Sequence, residues 1–263
     1  RDICRVNFGK TDDDWAIADK FKNSWFWGRV EFTELRGTQH WHYLVKLPNV
    51  LDTALLGRII QNGRVVRQEL KCGNIKPEKR EQAWKLIKMG LLANRYVTLF
   101  ADSISTCSFY TETVSVDGHD PSKVINLEEI RRQFVENSKS GNLTVETHPI
   151  MRDFNHPACD KNPNMEIAKV AAVCCLHQCI TNCCGGDPKT GDGCRFGFPR
   201  KKLNYTVPAI MQINAEQMEA QILLRRTCDR VCNGNRLFLQ FFRSNVDFEI
   251  LIDFAHKLRY ATK

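Results

Sequence analysis

The sequence lacks any long hydrophobic run, and no apolar stretch approaches the roughly 18 residues that a membrane-spanning helix needs. It also has no signal-peptide pattern, no internal repeat and no low-complexity tract. We therefore expect no membrane among its partners. The chain begins with Arg1 rather than methionine, from which we expect a piece of a longer polypeptide. A hydrophobic content of 43% suits a globular fold with a sizeable core.

Cysteine is unevenly distributed, which argues against a secreted disulfide scaffold. Six of the twelve cysteines fall between positions 174 and 194, together with one histidine. Such clustering favours a metal site in a reducing compartment. Short-range ligands followed by a more distant cysteine across a Gly-rich loop predict tetrahedral zinc. The ligands we select are His177, Cys179, Cys183 and Cys194, with Cys174, Cys175 and Cys184 as alternatives.

Positive charge is concentrated towards the carboxyl end. Residues 195–263 contain 12 Lys and Arg against 6 Asp and Glu, in a chain whose net charge is +8. This excess is typical of a protein that binds a polyanion, most simply nucleic acid, although a solvated basic face gives the same count. Basic and aromatic residues interleave directly after Cys194, a composition suited to stacking on bases and contacting phosphates. The predicted contacts are Arg195, Phe196, Arg200, Lys201 and Lys202.

Two histidines flank one tryptophan in a predicted β-hairpin of residues 25–34 and 40–47. Side chains alternate faces along a strand, so we expect His40 and His42 on one face. Two imidazoles about 7 Å apart along a strand can both bind one metal ion. A carboxylate before the turn would complete the site, and we select Glu34, with Glu31 as the alternative. Unliganded histidines on a polar strand face are the competing interpretation.

The last predicted helix, residues 253–263, carries a candidate nucleophile. His256 and Tyr260 are four residues apart and share a helix face. A tyrosine phenol becomes a covalent nucleophile when a neighbouring base or metal activates it, although a tyrosine on a helix more often serves packing.

Hydrophobic periodicity and turn residues predict the other elements. The predicted helices cover 14–24, 51–60, 79–92, 127–137, a segment from about 164, and 209–227. Strands are predicted at 96–100, 237–243 and 246–252, and residues 102–122 are predicted to form an exposed connection.

Three motifs occur in a fixed order along the chain. The first is Arg36-Gly37-Thr38-Gln39-His40-Trp41-His42. The second is the His/Cys cluster that ends in Cys194-Arg195-Phe196-Gly197-Phe198-Pro199, and the third is Arg243-Ser244-Asn245-Val246-Asp247 ahead of the Tyr260 helix. Together they resemble the HUH endonuclease domain, a rolling-circle replication initiator, of Helitron-type transposases. The chain departs from the family pattern at Glu34, where the family has Gln, and by one extra residue between Phe32 and Arg36.

The resemblance implies an α+β fold with an antiparallel central sheet flanked by helices and an inserted zinc-binding subdomain. The implied segments are 1–150, which holds the His-x-His hairpin, 151–207, which holds a linker and the zinc insertion, and 208–263, which holds the tyrosine helix. A fused helicase in the full-length protein and a nuclear location in a eukaryotic host are also implied.

The implied activity is nicking and strand transfer of single-stranded DNA at transposon ends. In this interpretation Tyr260 forms a 5′-phosphotyrosine intermediate, and His40, His42 and Glu34 hold Mg²⁺ or Mn²⁺. Zn²⁺ is structural, and Arg259 and Lys263 join the predicted DNA contacts. Two alternatives stay open: a domesticated, catalytically inactive DNA-binding module that keeps the zinc fold, and a metal-dependent hydrolase without a covalent step.

Overall fold

The computed structural model describes residues 25–32, 39–46, 53–115, 118–179, 194, 196–212 and 218–244. The chain divides into two compact units, Arg1–Leu56 with Asp253–Lys263, and Gly57–Ile252. Helices and small antiparallel sheets are both present, so the described part of the chain is α+β. None of the described helices is long and apolar enough to cross a bilayer. The segment boundaries at 150 and 207 stay predictions.

Strands β1 (Trp25–Phe32) and β2 (Gln39–Lys46) form an antiparallel hairpin in the first unit. The hairpin predicted from the sequence is therefore confirmed. In its register, Glu31 pairs with His40 and Arg29 pairs with His42. Both histidines of the motif consequently lie on one strand, two positions apart.

Helices α1 (Thr53–Lys71) and α2 (Arg80–Ile104) approach each other at a pair of glycines. A Cβ atom added at Gly63 would lie 2.9 Å from the Cα atom of Gly90, and one added at Gly90 would lie 3.0 Å from the Cα atom of Gly63. The two backbones are thus in direct contact. The predicted strand at 96–100 is wrong because α2 continues through it, with Ala93, Val97 and Ala101 buried at a spacing of four.

Substituting Gly90 with valine is expected to destabilise the second unit by about 1–3 kcal/mol, since the new side chain must push the backbone of α1 away. The measurement is the free energy of unfolding from urea denaturation. Lys88→Val is the matched control, because Lys88 is exposed on the same helix and the substitution introduces the same β-branched residue. Equal losses for the two variants would contradict the close helix contact.

The core of the second unit is built around helix α4 (Pro163–Cys174), which packs against α3 (Leu127–Lys139) and α5 (Arg236–Phe242). Each of the three helices begins after an asparagine whose side chain accepts a hydrogen bond from a backbone N–H of the first turn. The predicted helices at 127–137 and from about 164 are confirmed. The predicted strand at 237–243 is wrong, because these residues form α5 after its Asn235 cap.

Strands β3 (Val207–Gln212) and β4 (Met218–Leu223) form a second antiparallel hairpin. One continuous helix over 209–227 is therefore a wrong prediction. A short apolar run fits a helix or a strand equally well by its pattern, and here the strand pairing decides between them.

Residues 105–110 are buried, which contradicts their prediction as part of an exposed connection. Thr106 and Gly234 exchange two backbone hydrogen bonds of 2.7 and 2.9 Å. The hydroxyl of Ser108 donates to the carbonyl oxygen of Arg225 at 2.6 Å. These three hydrogen bonds of the segment are made with partners more than a hundred residues away, which its polar composition does not reveal.

Candidate metal centre

The cysteine-rich cluster is supported by residues 226–232, a segment that turns at Asp229 and Arg230. On one side, the backbone N–H of His177 donates to the carbonyl oxygen of Arg230 at 2.7 Å. On the other side, the N–H of Arg200 donates to the carbonyl oxygen of Asp229 at 2.7 Å. A turn closed by a 2.9 Å hydrogen bond from Gly197 N–H to the Cys194 carbonyl follows the last ligand, and Gly197 has a φ of 67°, which favours glycine. Both ends of the predicted zinc motif are therefore fixed to one segment.

Three of the four predicted zinc ligands lie together. Nε2 of His177 is 3.4 Å from Sγ of Cys194, and the ligand atoms of His177, Cys179 and Cys194 are all within 4.8 Å of one another. Zinc bonds of about 2.0–2.1 Å to nitrogen and 2.3 Å to sulfur, at a tetrahedral angle, put those two atoms about 3.6 Å apart. The three side chains can hold one metal ion. The fourth predicted ligand, Cys183, lies outside the described residues.

The imidazole of His177 is held in place by an aromatic stack. Its ring lies parallel to that of Phe198, with centroids 4.4 Å apart and an interplanar angle of 13°. Cζ of Arg200 lies 4.5 Å from the centre of the same phenyl ring. Burial, followed by the positive charges of Arg230 and Arg200, lowers the pKa of His177 below its ordinary value. Those conditions favour the neutral imidazole, which is the form that binds a metal.

Cys179, within the metal-binding group, and Cys174 and Cys175, just before it, lie in different environments. Sγ of Cys179 accepts a hydrogen bond from Nη1 of Arg230 at 3.6 Å. Cys175 is 2% exposed and belongs to the hydrophobic core, and Sγ of Cys174 donates to the carbonyl oxygen of Val170 at 2.9 Å. Neither Cys174 nor Cys175 belongs to the described metal-binding group, whereas Cys184 lies outside the described residues.

The segment that follows Cys194 presents basic and aromatic side chains. Lys201 and Lys202 are exposed, and the ring of Phe196 is 47% exposed. Arg200 is half-buried beside the metal-binding group, and Tyr205, which the sequence interpretation did not select, is 65% exposed. We call residues 196–205 the basic rim. It therefore combines exposed aromatic and basic side chains on one short segment.

A second group of ligand atoms, from Glu128, Cys228 and Asp229, also lies within 4.8 Å. Burial raises the pKa of Cys228, and the nearby carboxylates of Glu128 and Asp229 add to that rise. Glu128 is exposed, Cys228 belongs to the hydrophobic core, and exposed acidic groups often lie together without an ion. We assign this group no metal.

The predicted nuclease residues are described only in part. His40 and His42 lie on β2, and Glu31 on β1 pairs with His40. Of the other predicted site residues, Glu34, Arg195, Arg259, Tyr260 and Lys263 lie outside the described residues.

Arg230, which contacts Cys179, is the residue of this site that sequence reasoning missed. The Asn233-Gly234 pair is a turn signal just after this segment, but it does not indicate that Arg230 lies beside Cys179. The pairing of residues 226–232 with residues 175–177 and 200–203 has no local signal.

Comparison with known protein families, with curated proteins and with solved structures finds no match for this chain. The geometry of the site therefore carries the functional argument.

Proposed function

We propose that the chain nicks single-stranded DNA by metal-dependent transesterification, as the nuclease domain of a Helitron-like transposase. The observation that supports this most is the register of the β1–β2 hairpin, with His40 and His42 two positions apart and Glu31 opposite His40. Residues two apart on a strand share a face, as do directly paired residues. Two imidazoles and one carboxylate form a ligand set suited to Mn²⁺ or Mg²⁺.

Tyr260 is the proposed nucleophile. Its phenolic oxygen attacks the scissile phosphorus, forming a tyrosine–phosphorus ester as the bond to the 3′ oxygen breaks. The products are a 5′-phosphotyrosine link and a free 3′-hydroxyl, and attack by a 3′-hydroxyl reverses the step and joins strands. A bound divalent ion supplies charge stabilisation for phosphoryl transfer. Arg259 and Lys263 neutralise phosphate charge nearby.

The third ligand of the divalent ion is either Glu34 or Glu31. The resemblance assigns Glu34 to the position of the family's metal-side Gln. The hairpin register favours Glu31, because it pairs directly with His40. The two carboxylates therefore compete for one role, and separate substitutions distinguish them.

The His177, Cys179 and Cys194 group is the proposed structural zinc site, with Cys183 as fourth ligand. Through the stack of His177, Phe198 and Arg200, the zinc would fix the start of the basic rim, which contacts the DNA strand. In this proposal the zinc segment is an insertion in an HUH fold. The full polypeptide carries a helicase and acts in the nucleus of a eukaryotic host.

The test is incubation of the chain with Mn²⁺ and a pool of randomised single-stranded oligonucleotides labelled at the 3′ end. A 5′-phosphotyrosine link retains the 3′ label on the protein in a denaturing gel. Tyr260→Phe and His42→Ala are each expected to reduce the adduct at least about a thousandfold, because removal of a catalytic group leaves little of the rate enhancement. Tyr96→Phe is the matched control that keeps the adduct, because Tyr96 lies on α2 outside the basic rim and a phenylalanine keeps its ring contact with Phe100.

The same gel decides between the alternatives. Of Glu31→Ala and Glu34→Ala, the variant that removes a ligand should raise the Mn²⁺ concentration for half-maximal cleavage at least about tenfold. DNA binding without cleavage in the wild type would contradict the nickase and favour the inactive zinc-containing module. Cleavage without an adduct would favour a hydrolase.

A further inference from the structure

A buried cluster of charged side chains joins three distant parts of the second unit. Nη2 of Arg152 donates to both carboxylate oxygens of Glu166, at 3.0 and 2.9 Å. Nη2 of Arg243 donates to the same carboxylate, and Nε of Arg243 donates to the carbonyl oxygen of Pro149. The side chains of both arginines are 3% exposed, and that of Glu166 is 9% exposed.

The cluster has an excess of one positive charge. Glu166 is the only carboxylate among the described residues that lies within ion-pair distance of either arginine. The nearest additional pair, Lys169 with Asp160 at 2.8 Å, is neutral in itself. Two guanidinium groups therefore share a single carboxylate. An uncompensated charge at this burial is costly, so a counter-anion is expected nearby.

Arg243 retains a donor for such an anion. Its Nη1 atom is buried and has no hydrogen-bond partner in the part of the chain that the structure describes. Arg243 also lines a cleft of about 70 Å³, together with the carboxylate residues Asp160 and Glu166 and with Phe154, Cys159 and Gln240. Since a water molecule takes about 30 Å³ of liquid volume, the cleft has room for a small oxyanion rather than for a nucleotide base.

We propose that this cleft binds a single phosphate group against the guanidinium of Arg243. A phosphate oxygen accepts from Nη1 and balances the excess charge, as guanidinium groups commonly do with phosphates. The negative charge of Glu166 does not prevent phosphate binding. Its carboxylate already accepts hydrogen bonds from the two arginines and from the backbone N–H of Asp160, the last at 2.9 Å. The inference does not rest on the proposed nuclease activity.

The phosphate has two sources with the same chemistry, free inorganic phosphate and a phosphate of a DNA strand. Phe154, one of the lining side chains, is 40% exposed, so the cleft is accessible from solvent to a strand end. The experiment therefore includes both ligands.

The test is thermal unfolding of the whole chain in increasing inorganic phosphate, with sodium nitrate at matched ionic strength as the salt control. A ligand at about a hundred times its Kd is expected to raise the Tm by roughly 5–10 °C. Arg243→Gln should abolish this rise, because the remaining Arg152–Glu166 pair is neutral. Arg67→Gln is the matched control, since it removes an exposed guanidinium elsewhere and should leave the phosphate response unchanged.

A second variant keeps the test decisive if Arg243→Gln folds poorly. Cys159→Glu introduces a carboxylate into the cleft, and it should raise the Tm without phosphate while removing the response to phosphate. A second titration uses a 5′-phosphorylated oligothymidylate in place of inorganic phosphate. A rise in Tm with this oligonucleotide that is lost in Arg243→Gln assigns the bound phosphate to DNA. Equal Tm values in phosphate and nitrate for the wild type, with no response to the oligonucleotide, would overturn the proposal.

Discussion

Cys194→Ser is expected to lose the zinc ion and, with it, the order of the basic rim. Metal analysis of the wild type should give about one zinc per chain, and the variant should retain only a small fraction of that. The effect on the rim is large because structural zinc binding in small modules amounts to roughly 10–16 kcal/mol of free energy. Cys72→Ser is the control, since Cys72 is an exposed cysteine at the end of α1 outside the metal-binding group.

Amide hydrogen exchange locates the effect. The N–H groups of His177, Gly197 and Arg200 each donate to a backbone carbonyl within the cluster. Their protection should fall in Cys194→Ser and in wild-type protein stripped with a chelator, whereas amides in α1 and α2 should keep theirs. Unchanged protection at all three amides in both samples would show that the segment folds without a metal.

The parts of this fold that the sequence predicts are those with local signals. Helices α3 and α4 follow asparagine caps and have clear periodicity, and the metal-binding group follows from the close spacing of His177 and Cys179 before Cys194. The β1–β2 hairpin is likewise predicted from two strand-like segments separated by the turn-forming sequence Arg36-Gly37-Thr38, and the strand pairing confirms it.

The elements that the sequence does not predict depend on distant partners. The run that forms α5 contains apolar residues at nearly every position, so its pattern suits a strand as well as a helix. Residues 105–110 are predicted to be exposed, but they are buried, and Thr106 and Ser108 hydrogen-bond to Gly234 and Arg225. Arg230 contacts Cys179 only because residues 226–232 lie beside the cluster, and no short-range spacing encodes that pairing.

Glu166→Gln is expected to destabilise the second unit by about 3–5 kcal/mol, the usual loss when one partner of a buried ion pair is removed. The amide keeps an oxygen that can accept a hydrogen bond, but it leaves the guanidinium groups of Arg152 and Arg243 without a negative charge. Burial raises the pKa of Glu166, but hydrogen bonds from Asp160, Arg243 and Arg152 outweigh it and hold the pKa below its ordinary value. The measurement is the free energy of unfolding from urea denaturation at pH 7.

The pH dependence of the difference in free energy of unfolding between wild type and Glu166→Gln identifies the cause of that difference. Because the pKa of Glu166 is lower in the folded state, the carboxylate stabilises the wild type above the ordinary value of 4.5, and this contribution is lost as the pH falls through the folded pKa. The gap between wild type and Glu166→Gln should therefore narrow in acid. Glu129→Gln is the matched control, because Glu129 pairs with Arg132 on the exposed face of α3 and its loss should change stability little. If the two proteins differ in free energy of unfolding by the same amount at acid and neutral pH, the destabilisation comes from altered packing and not from the lost charge.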